Sequence, residues 1–481
     1  MQLPQLIKRL DDCRVTGIAT DSKKVEPGFA FVAVRGARTD GHLFIDEAIQ
    51  RGAKVIITQG KAGEVRRQKA EDVSWITVRD TRTAVGPLTA HLYGDPSSTV
   101  DVIGVTGTNG KTTVTYLIEA ILKRAKIEAA VVGTINYRYK GICLPSVNTT
   151  PGPIELQGFL RRIRDARVPY AVMEVSSHAL DQDRIAGIRF RAALFTNLTQ
   201  DHLDYHKDME GYFRAKAKLF TRLPKGAYAV INNDDPYGRR LTRLCRARVV
   251  TYGTGRGCDY RAEGIQCRAD RTTFTVAHRR RRFLLSTRLI GLHNVQNILT
   301  AAAFACEEGV PVPVVQSAIK NFSPVPGRLE RIESNKGFSV FVDYAHTDDA
   351  LTNVITALRA LGPRRIIVMF GCGGDRDVSK RPRMGRVATE LADYCIITSD
   401  NPRSESPQAI IEDIRRGITR DNYCVIPARA RAIRSALCRA RCGDIVLLAG
   451  KGHETYQIVD KKTMHFDDRE VTRECLQSMN S

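Results

Sequence analysis

The sequence predicts an α/β chain of three domains. Three observations carry that expectation. Short apolar, strand-like runs alternate with helix-forming stretches along most of the chain. A glycine-rich turn joins one such strand to one such helix at residues 107–113. Two loop-like segments, DPSS (95–98) and PVPGR (324–328), separate stretches of different pattern. Continuous apolar strands alternating with helices imply mostly parallel sheets covered on both faces. At about 100–200 residues per domain, the length suggests two to four domains, and we divide it at 1–98, 99–328 and 329–481.

The elements follow in order. The first unit has strand-like FAFVAVRG (29–36) and AKVIITQG (53–60) around helix-like LFIDEAIQRG. The second opens with VDVIGVTG, the glycine turn and helix-forming VTYLIEAILKRAK. Its further strand candidates are AAVVGTI (129–135), YAVMEV (170–175), RAALFTNL (191–198) and YAVINN (228–233). Residues 249–290 read as an antiparallel flap, and 293–309 as a helix. PVPGR reads as a hinge. Beyond it, FSVFVDY, RRIIVMFG, YCIITSD and DIVLLAG are strand candidates, and ESPQAIIEDIRRG is the clearest helix.

Composition narrows the class. Of 481 residues, 43% are hydrophobic and 26% charged, as in ordinary globular enzymes. Disordered, collagen-like and disulfide-stapled classes are excluded. No run nears the roughly 18 apolar residues of a membrane span. The N-terminus MQLPQLIKRLDDCRV lacks the apolar core of a secretory signal. Twelve scattered cysteines with no paired CxxC clusters read as reduced thiols, and the expected location is the cytoplasm. Cys438 and Cys442, four apart on a predicted helix, are weak metal evidence.

The net charge of +22, from 74 Lys+Arg against 52 Asp+Glu, is the unusual number. Its densest run, Arg279–Arg282, reads as an exposed hairpin tip. No nucleic-acid-binding motif accompanies it, so no nucleic-acid partner is expected. Basic charge also suits an anionic small substrate.

The strongest local signal is Gly107-Thr108-Asn109-Gly110-Lys111-Thr112-Thr113 between strand and helix. Glycines let backbone N–H groups close on phosphate oxygens, and the helix N-terminus adds partial positive charge. Lys111 suits the β/γ-phosphates, and the Thr112 hydroxyl suits Mg²⁺. The first glycine of the ordinary Walker spacing would fall at Val105, so the loop is a variant of that pattern.

Three more features accompany it. Glu174 ends an apolar strand, where ligands bind in parallel sheets, and a carboxylate there suits Mg²⁺. Alone, it reads better as a cap or ion-pair residue. His202, in DHLDYH (201–206), is a candidate metal ligand and equally a hydrogen-bonded loop histidine. In MEGYFRAKAKLF (209–220), Met209, Tyr212, Phe213 and Phe220 form an apolar stripe. At 100° per residue, Lys216 falls in the middle of that stripe and Lys218 on the opposite face beside Arg214. A lysine centred on a core-facing stripe is costly unless paired, modified or snorkelling.

Together with NTTPGP (148–153), EVSSHALDQDR (174–184), TNLTQDHLDYH (196–206), GRLE (327–330), DYAHT (343–347), GCGGDRD (371–377), DNPR (400–403) and GKGHE (450–454), these residues resemble the Mur ligase family over nearly the whole chain. Those are ATP-dependent, amide-forming enzymes of peptidoglycan precursor synthesis. The resemblance implies an N-terminal substrate domain, a central P-loop-type ATPase domain and a C-terminal Rossmann-like domain. It is nearest to the branch that extends UDP-N-acetylmuramoyl-L-alanyl-D-glutamate by its third amino acid. DNPR resembles the signature of the type using meso-2,6-diaminopimelate rather than lysine.

The resemblance also implies site residues. Lys216 is carbamylated and, with Thr112, Glu174 and His202, holds Mg²⁺, two ions in all. ATP is held by 107–113, Asn294, Asn297, Arg328, Asp343 and His346. The UDP-muramoyl dipeptide is held by Thr20, Ser22, Ala37, Arg38, Thr39, Asn148, Thr149, Thr150, Ser176, Gln182 and Arg184. The diamino acid is held by Arg376, Asp400, Asn401, Pro402, Arg403, Gly450 and Glu454. The charges fit independently: a distal carboxylate needs the bidentate fork of an arginine, here Arg403. A monomer is expected. The family usually has proline at the position of Asp348, which implies a looser turn here.

The rival readings are weaker. A lysine-adding ligase is disfavoured by Arg403. A folylpolyglutamate synthetase is disfavoured by DHLDYH, DNPR and the N-terminal DSKK segment. A polynucleotide-stimulated ATPase lacks a groove motif. A non-catalytic nucleotide sensor would not need Lys111, Glu174, His202 and Lys216 together.

Overall fold

The computed structural model describes residues 3–36, 39–60, 72–268, 271–460 and 462–479. The first sheet is four parallel strands in sequence order: β1 (Gly17–Ala19), β2 (Phe29–Val32), β3 (Val55–Gln59) and β4 (Ser74–Val78). Apolar clusters lie on both its faces. Helix Thr81–Leu92 follows β4, with the Asp80 side chain accepting from Arg82 N as its N-cap.

The central sheet has eleven strands. They are β5 (Asp101–Thr106), β6 (Ala129–Val132), β7 (Asn136–Tyr139), β8 (Ile142–Pro145), β9 (Tyr170–Glu174), β10 (Phe190–Phe195), β11 (Tyr228–Asn232), β12 (Arg248–Gly253), β13 (Tyr260–Cys267), β14 (Thr272–His278) and β15 (Arg281–Thr287). Their spatial order is β15-β14-β13-β12-β11-β10-β5-β9-β6-β7-β8. The parallel middle puts β5 between β10 and β9. Those strands are apolar on both faces because helices cover both faces.

The third sheet comprises β16 (Glu330–Ile332), β17 (Ser339–Asp343), β18 (Ile366–Phe370), β19 (Tyr394–Ile397), β20 (Tyr423–Val425) and β21 (Ile445–Ala449), ordered β16-β17-β21-β18-β19-β20. All pairs are parallel except β16 with β17. A short hairpin, β22 (Tyr456–Val459) and β23 (Lys462–His465), follows it.

Several expectations change. FAFVAVRG is a strand only to Val32, and AAVVGTI only to Val132. The chain then turns into the antiparallel pair β7–β8. LFIDEAIQRG is a 3₁₀ turn, Gly41–Phe44, leading into helix Ile45–Gln50. DPSS holds a 3₁₀ turn at Pro96–Ser98. The flap begins later than residue 249, because β12 pairs parallel with β11 and the antiparallel ladder starts at β13. The tip of β14–β15 does expose Arg279 and Arg280. Cys442 lies beyond the helix Arg429–Arg439 that carries Cys438, so the two share no helix face.

Asp348 does not loosen its turn. It is the first residue of helix Asp348–Arg359, whose N-cap Thr347 accepts from Ala350 N. An acidic side chain there favours the positive helix end, and Asp348 Oδ2 lies 3.2 Å from Arg383 Nε. Among the described residues, no helix is long and apolar enough to cross a membrane.

Candidate functional site

Ligands bind beyond the carboxyl ends of parallel strands. Here the carboxyl edges of the central and third sheets share one cleft of about 740 Å³. β5 ends in the glycine loop, β9 in Glu174, and β17 in Asp343.

The loop is held from beneath. Asn109 N donates to Asn197 Oδ1 at 2.9 Å, and Thr196 Oγ1 donates to the Asn109 carbonyl at 2.6 Å. Two positions require glycine. A Cβ on Gly107 would lie 1.8 Å from Thr196 Oγ1, and one on Gly110, at φ 87°, would lie 2.2 Å from Asn297 Oδ1. The loop runs directly into helix Lys111–Arg124. Lys111 Nζ folds back on the Gly107 and Thr108 carbonyls at 3.0 and 2.9 Å. Burial lowers its pKa, and Glu174 opposes that shift.

Lys216 sits where the helical stripe places it. It lies on helix Met209–Thr221, capped by Asp208 accepting from Gly211 N. It is 2% exposed. Its Nζ donates to the Gly107 carbonyl at 2.8 Å and lies 4.7 Å from the centre of the Tyr212 ring. Burial first, then the Lys111 charge, push its pKa well below the usual lysine range. Lys218 points elsewhere, toward Asp181 at 3.1 Å, and is partly exposed.

Glu174 is buried, and its two oxygens accept from Thr134 N and Thr134 Oγ1, each at 2.9 Å. His202 has φ 56° and lines the cleft. Enclosure, partly opposed by Asp201, pushes its pKa down to about 3, leaving a neutral imidazole. Asp201 Oδ1 accepts from His202 N at 2.9 Å.

Among the described residues, no three His, Cys, Asp or Glu side chains converge as a preformed metal cluster. The donor set still suits Mg²⁺. Thr112 and Glu174 offer hard oxygens, and nucleotide phosphates ordinarily supply others. A lysine amine is not an oxygen donor, so Lys216 fits the set only as a carbamate.

Asn294 and Asn297, on helix Leu292–Glu307, line the cleft beside the loop. Arg328 reaches from the hinge: Nη2 donates to Thr112 Oγ1 at 3.3 Å, and the guanidinium lies over the Tyr344 ring. Its Nε is buried with no hydrogen-bond partner. Asp343 accepts from Leu329 N and Ala345 N at 2.6 and 2.7 Å. His346 Nδ1 lies 2.8 Å from the Tyr344 carbonyl. Enclosure pushes its pKa to about 4.

The far wall carries the DNPR and GKGHE segments. Arg403 has φ 55° and Nη1 donating to the Gly374 carbonyl. Its backbone pairs with β22, Arg403 N donating to Ile458 O at 3.1 Å. Arg376 is exposed at the rim. Asp400, Asn401 and Gly450 line the cleft, and Asn401 Nδ2 donates to Glu454 Oε2 at 2.8 Å. Burial, with Asp400 nearby, raises the Glu454 pKa.

The residues assigned to the UDP-muramoyl precursor divide. Asn148, Thr149 and Ser176 line the cleft. Thr150, Gln182 and Arg184 lie behind it in one network, with Arg184 donating to Gln182 Oε1 and to the Thr150 carbonyl. Pro402 also lies outside the cleft lining. Thr20, Ser22 and Thr39 are on the first domain and do not line the cleft. Ser22 Oγ donates to Glu47 Oε2 at 2.7 Å. Ala37 and Arg38 lie outside the described residues.

Sequence reasoning missed three groups. Asp349 Oδ2 accepts from Asn109 Nδ2 at 2.8 Å and Thr199 Oγ1 at 3.1 Å, tying the third domain to the phosphate loop. Lys380 lines the cleft from the start of helix Lys380–Leu391. Arg381, 1% exposed, bridges Glu405 and Asp413 behind Arg403. Only the run of polar residues in DRDVSKR hinted at the last two.

Comparison with known proteins matches three family descriptions. Residues 14–93 match the Mur ligase family catalytic domain, 105–305 the Mur ligase middle domain, and 327–452 the Mur ligase glutamate ligase domain. The chain is 42% identical to the UDP-N-acetylmuramoyl-L-alanyl-D-glutamate--2,6-diaminopimelate ligase of Syntrophomonas wolfei subsp. wolfei, covering 99% of each chain. A solved ligase of that same name is similar at a TM-score of 0.70 and 31% identity, over 97% of this chain and 96% of the other. A MurF ligase from Thermotoga maritima, solved with ADP, shares the fold at a TM-score of 0.62 and 20% identity, over 97% of each. A glycine loop facing a charged wall across one cleft, on the three-domain frame those matches cover almost end to end, makes this chain a member of the Mur ligase family.

Proposed function

We propose that this chain adds meso-2,6-diaminopimelate to the γ-carboxylate of the D-glutamyl residue of UDP-N-acetylmuramoyl-L-alanyl-D-glutamate, with ATP as co-substrate. The observation that carries the reading is one cleft with two chemistries. One wall is the glycine loop with Lys111, and Lys216 lies buried beneath that loop on the Gly107 carbonyl. The other sets Arg403 opposite Glu454 and Asp400, a cation and carboxylates suited to a zwitterion. The full-length relatives bear that ligase name.

The chemistry follows from the residues. Phosphoryl transfer is governed by positioning and charge neutralisation more than by a protein nucleophile. The loop N–H groups and Lys111 hold the β- and γ-phosphates, and Arg328 reaches toward them from the hinge. The precursor γ-carboxylate takes the γ-phosphoryl group, giving an acyl phosphate and ADP. The amine of diaminopimelate attacks the acyl carbon, a tetrahedral intermediate forms, and phosphate leaves with the amide bond made.

Thr112, Glu174, His202 and a Lys216 carbamate would hold two Mg²⁺ ions, which would supply charge neutralisation on the phosphates. The carbamate forms when the neutral Lys216 amine adds to CO₂ and releases one proton. Low lysine basicity favours that reaction at neutral pH. Asn294, Asn297, Asp343 and His346 hold the base and ribose. Because those groups belong to two domains, closure precedes chemistry and excludes water from the acyl phosphate. Asn148, Thr149, Thr150, Ser176, Gln182 and Arg184 grip the sugar and peptide, and Thr20, Ser22 and the 37–39 segment hold the uridine diphosphate. We take residues 1–98, 99–328 and 329–481 as the domains of a cytoplasmic monomer.

Phosphate release tests this reading, with UDP-muramoyl dipeptide, ATP and Mg²⁺ present and each amine supplied separately. Diaminopimelate is expected to drive release at least about 100-fold better than lysine, which would leave Arg403 desolvated and unpaired. Equal release with both amines contradicts the assignment.

A further inference from the structure

Behind the amino-acid wall lies a lysine that this chemistry does not use. Lys451 follows Gly450 at the end of β21, and its side chain is 0% exposed. Its Nζ donates to Asn401 Oδ1 at 2.9 Å and to the Tyr456 carbonyl at 2.6 Å, and lies 3.5 Å from Glu454 Oε2. Asn401 donates from Nδ2 to that same Glu454 oxygen at 2.8 Å, and its Oδ1 also accepts from Ile458 N at 3.0 Å. One ammonium thus ties together the DNPR loop, the β22 hairpin and the GKGHE loop.

The neighbouring buried cation does not substitute for it. Arg429 is committed to Asp468 through Nε at 2.7 Å and Nη2 at 2.6 Å. It lies 3.8 Å from Asp400. Lys451 is therefore the cation bonded on the Glu454 side of the pocket. Burying a lysine is costly. The cost is offset here by three acceptors that all belong to segments framing the cleft.

We propose that Lys451 is a positioning residue for the incoming amino acid, holding Glu454 and Asn401 aimed into the cleft so that Glu454 receives the substrate's distal ammonium. This rests on the reading of Glu454 as that acceptor. Several groups surround the Glu454 carboxylate. Lys451, His453 and Tyr456 come from its own loop; Asp400, Asn401 and Arg403 come from the DNPR loop. Arg376 lies at the rim, Arg429 on its helix, and Tyr344 at the end of β17. Without the Lys451 charge, Glu454 faces Asp400 with its nearest cation gone. Its affinity for a proton then rises. A protonated Glu454 no longer attracts an ammonium, so the loss must deepen as pH falls.

The experiment measures steady-state constants for all three substrates in full-length Lys451→Met and Lys451→Gln. The glutamine variant removes the charge while keeping a polar N–H donor, one bond shorter, in the same pocket, so it reports even where the methionine variant does not fold. KM for diaminopimelate is expected to rise about tenfold or more near pH 7.5, and further toward pH 6. KM for ATP should stay within about twofold of wild type, whose own KM for the amine should be flat over that range. A wild-type KM for diaminopimelate in Lys451→Gln, or an equal loss for all three substrates, overturns the proposal. Wild-type protein that never consumes diaminopimelate would instead overturn the functional reading on which it rests.

Discussion

Lys216→Ala is expected to lower ligase activity by about 100-fold or more, while Lys218→Ala stays within about twofold of wild type. The two lysines are two residues apart, and chemistry alone does not separate them. Geometry does. Lys216 is buried with its amine on the Gly107 carbonyl, directly under the phosphate loop. Lys218 makes a partly exposed ion pair with Asp181. Such pairs contribute roughly 0–1 kcal/mol. On the proposed carbamate, removing Lys216 takes away an oxygen ligand at the phosphates. The modification has its own readout: protein supplied with ¹³C-bicarbonate should show a carbamate resonance in wild type and Lys218→Ala and none in Lys216→Ala. Equal activity losses in the two variants would reject the assignment.

Arg403→Ala is the second large effect. The guanidinium is half-buried at the cleft wall, beside Gly373 and bonded to the Gly374 carbonyl. Diaminopimelate differs from lysine by a carboxylate on the distal carbon, and in the proposed reading the arginine fork is the donor for it. Leaving that carboxylate unpaired in a desolvated pocket should cost about 2–5 kcal/mol, read as a KM for diaminopimelate raised about 30-fold or more. Lysine has no such group, so its poor use should change little and selectivity should collapse. Unchanged selectivity would remove Arg403 from this role.

Some of this site is legible in the sequence because local rules decide it. Gly107 and Gly110 are glycines because Thr196 and Asn297 approach where a Cβ would stand. A strand, a glycine turn and a helix in series announce that arrangement. Lys216 is legible because a helix has a fixed period, and the same period places Lys218 outside. The charges of DNPR and GKGHE point to a zwitterion pocket.

Other parts are set by tertiary contacts with no local signature. Nothing near Asp349 shows that its carboxylate bonds Asn109, which lies 240 residues earlier. Lys451 reads as one more glycine-flanked lysine until the fold buries it against Asn401. The edge pair β7–β8 was missed because its exposed residues carry little apolar pattern: Ile142, Cys143 and Pro145 face solvent. At Asp348, loss of the family's proline suggested a looser turn, yet the residue opens a capped helix and faces Arg383. Ser22, expected at the uridine diphosphate, also donates to Glu47 within the first domain, a partner no local pattern announces.

The central claim is that the glycine loop activates a glutamyl carboxylate for capture by a diamino diacid on the opposite wall. Mass measurement of the nucleotide product tests it most directly. With UDP-muramoyl dipeptide, ATP, Mg²⁺ and diaminopimelate, the precursor should gain one diaminopimelyl residue for each ADP and each phosphate formed. ADP formed in full while the precursor keeps its original mass would contradict it.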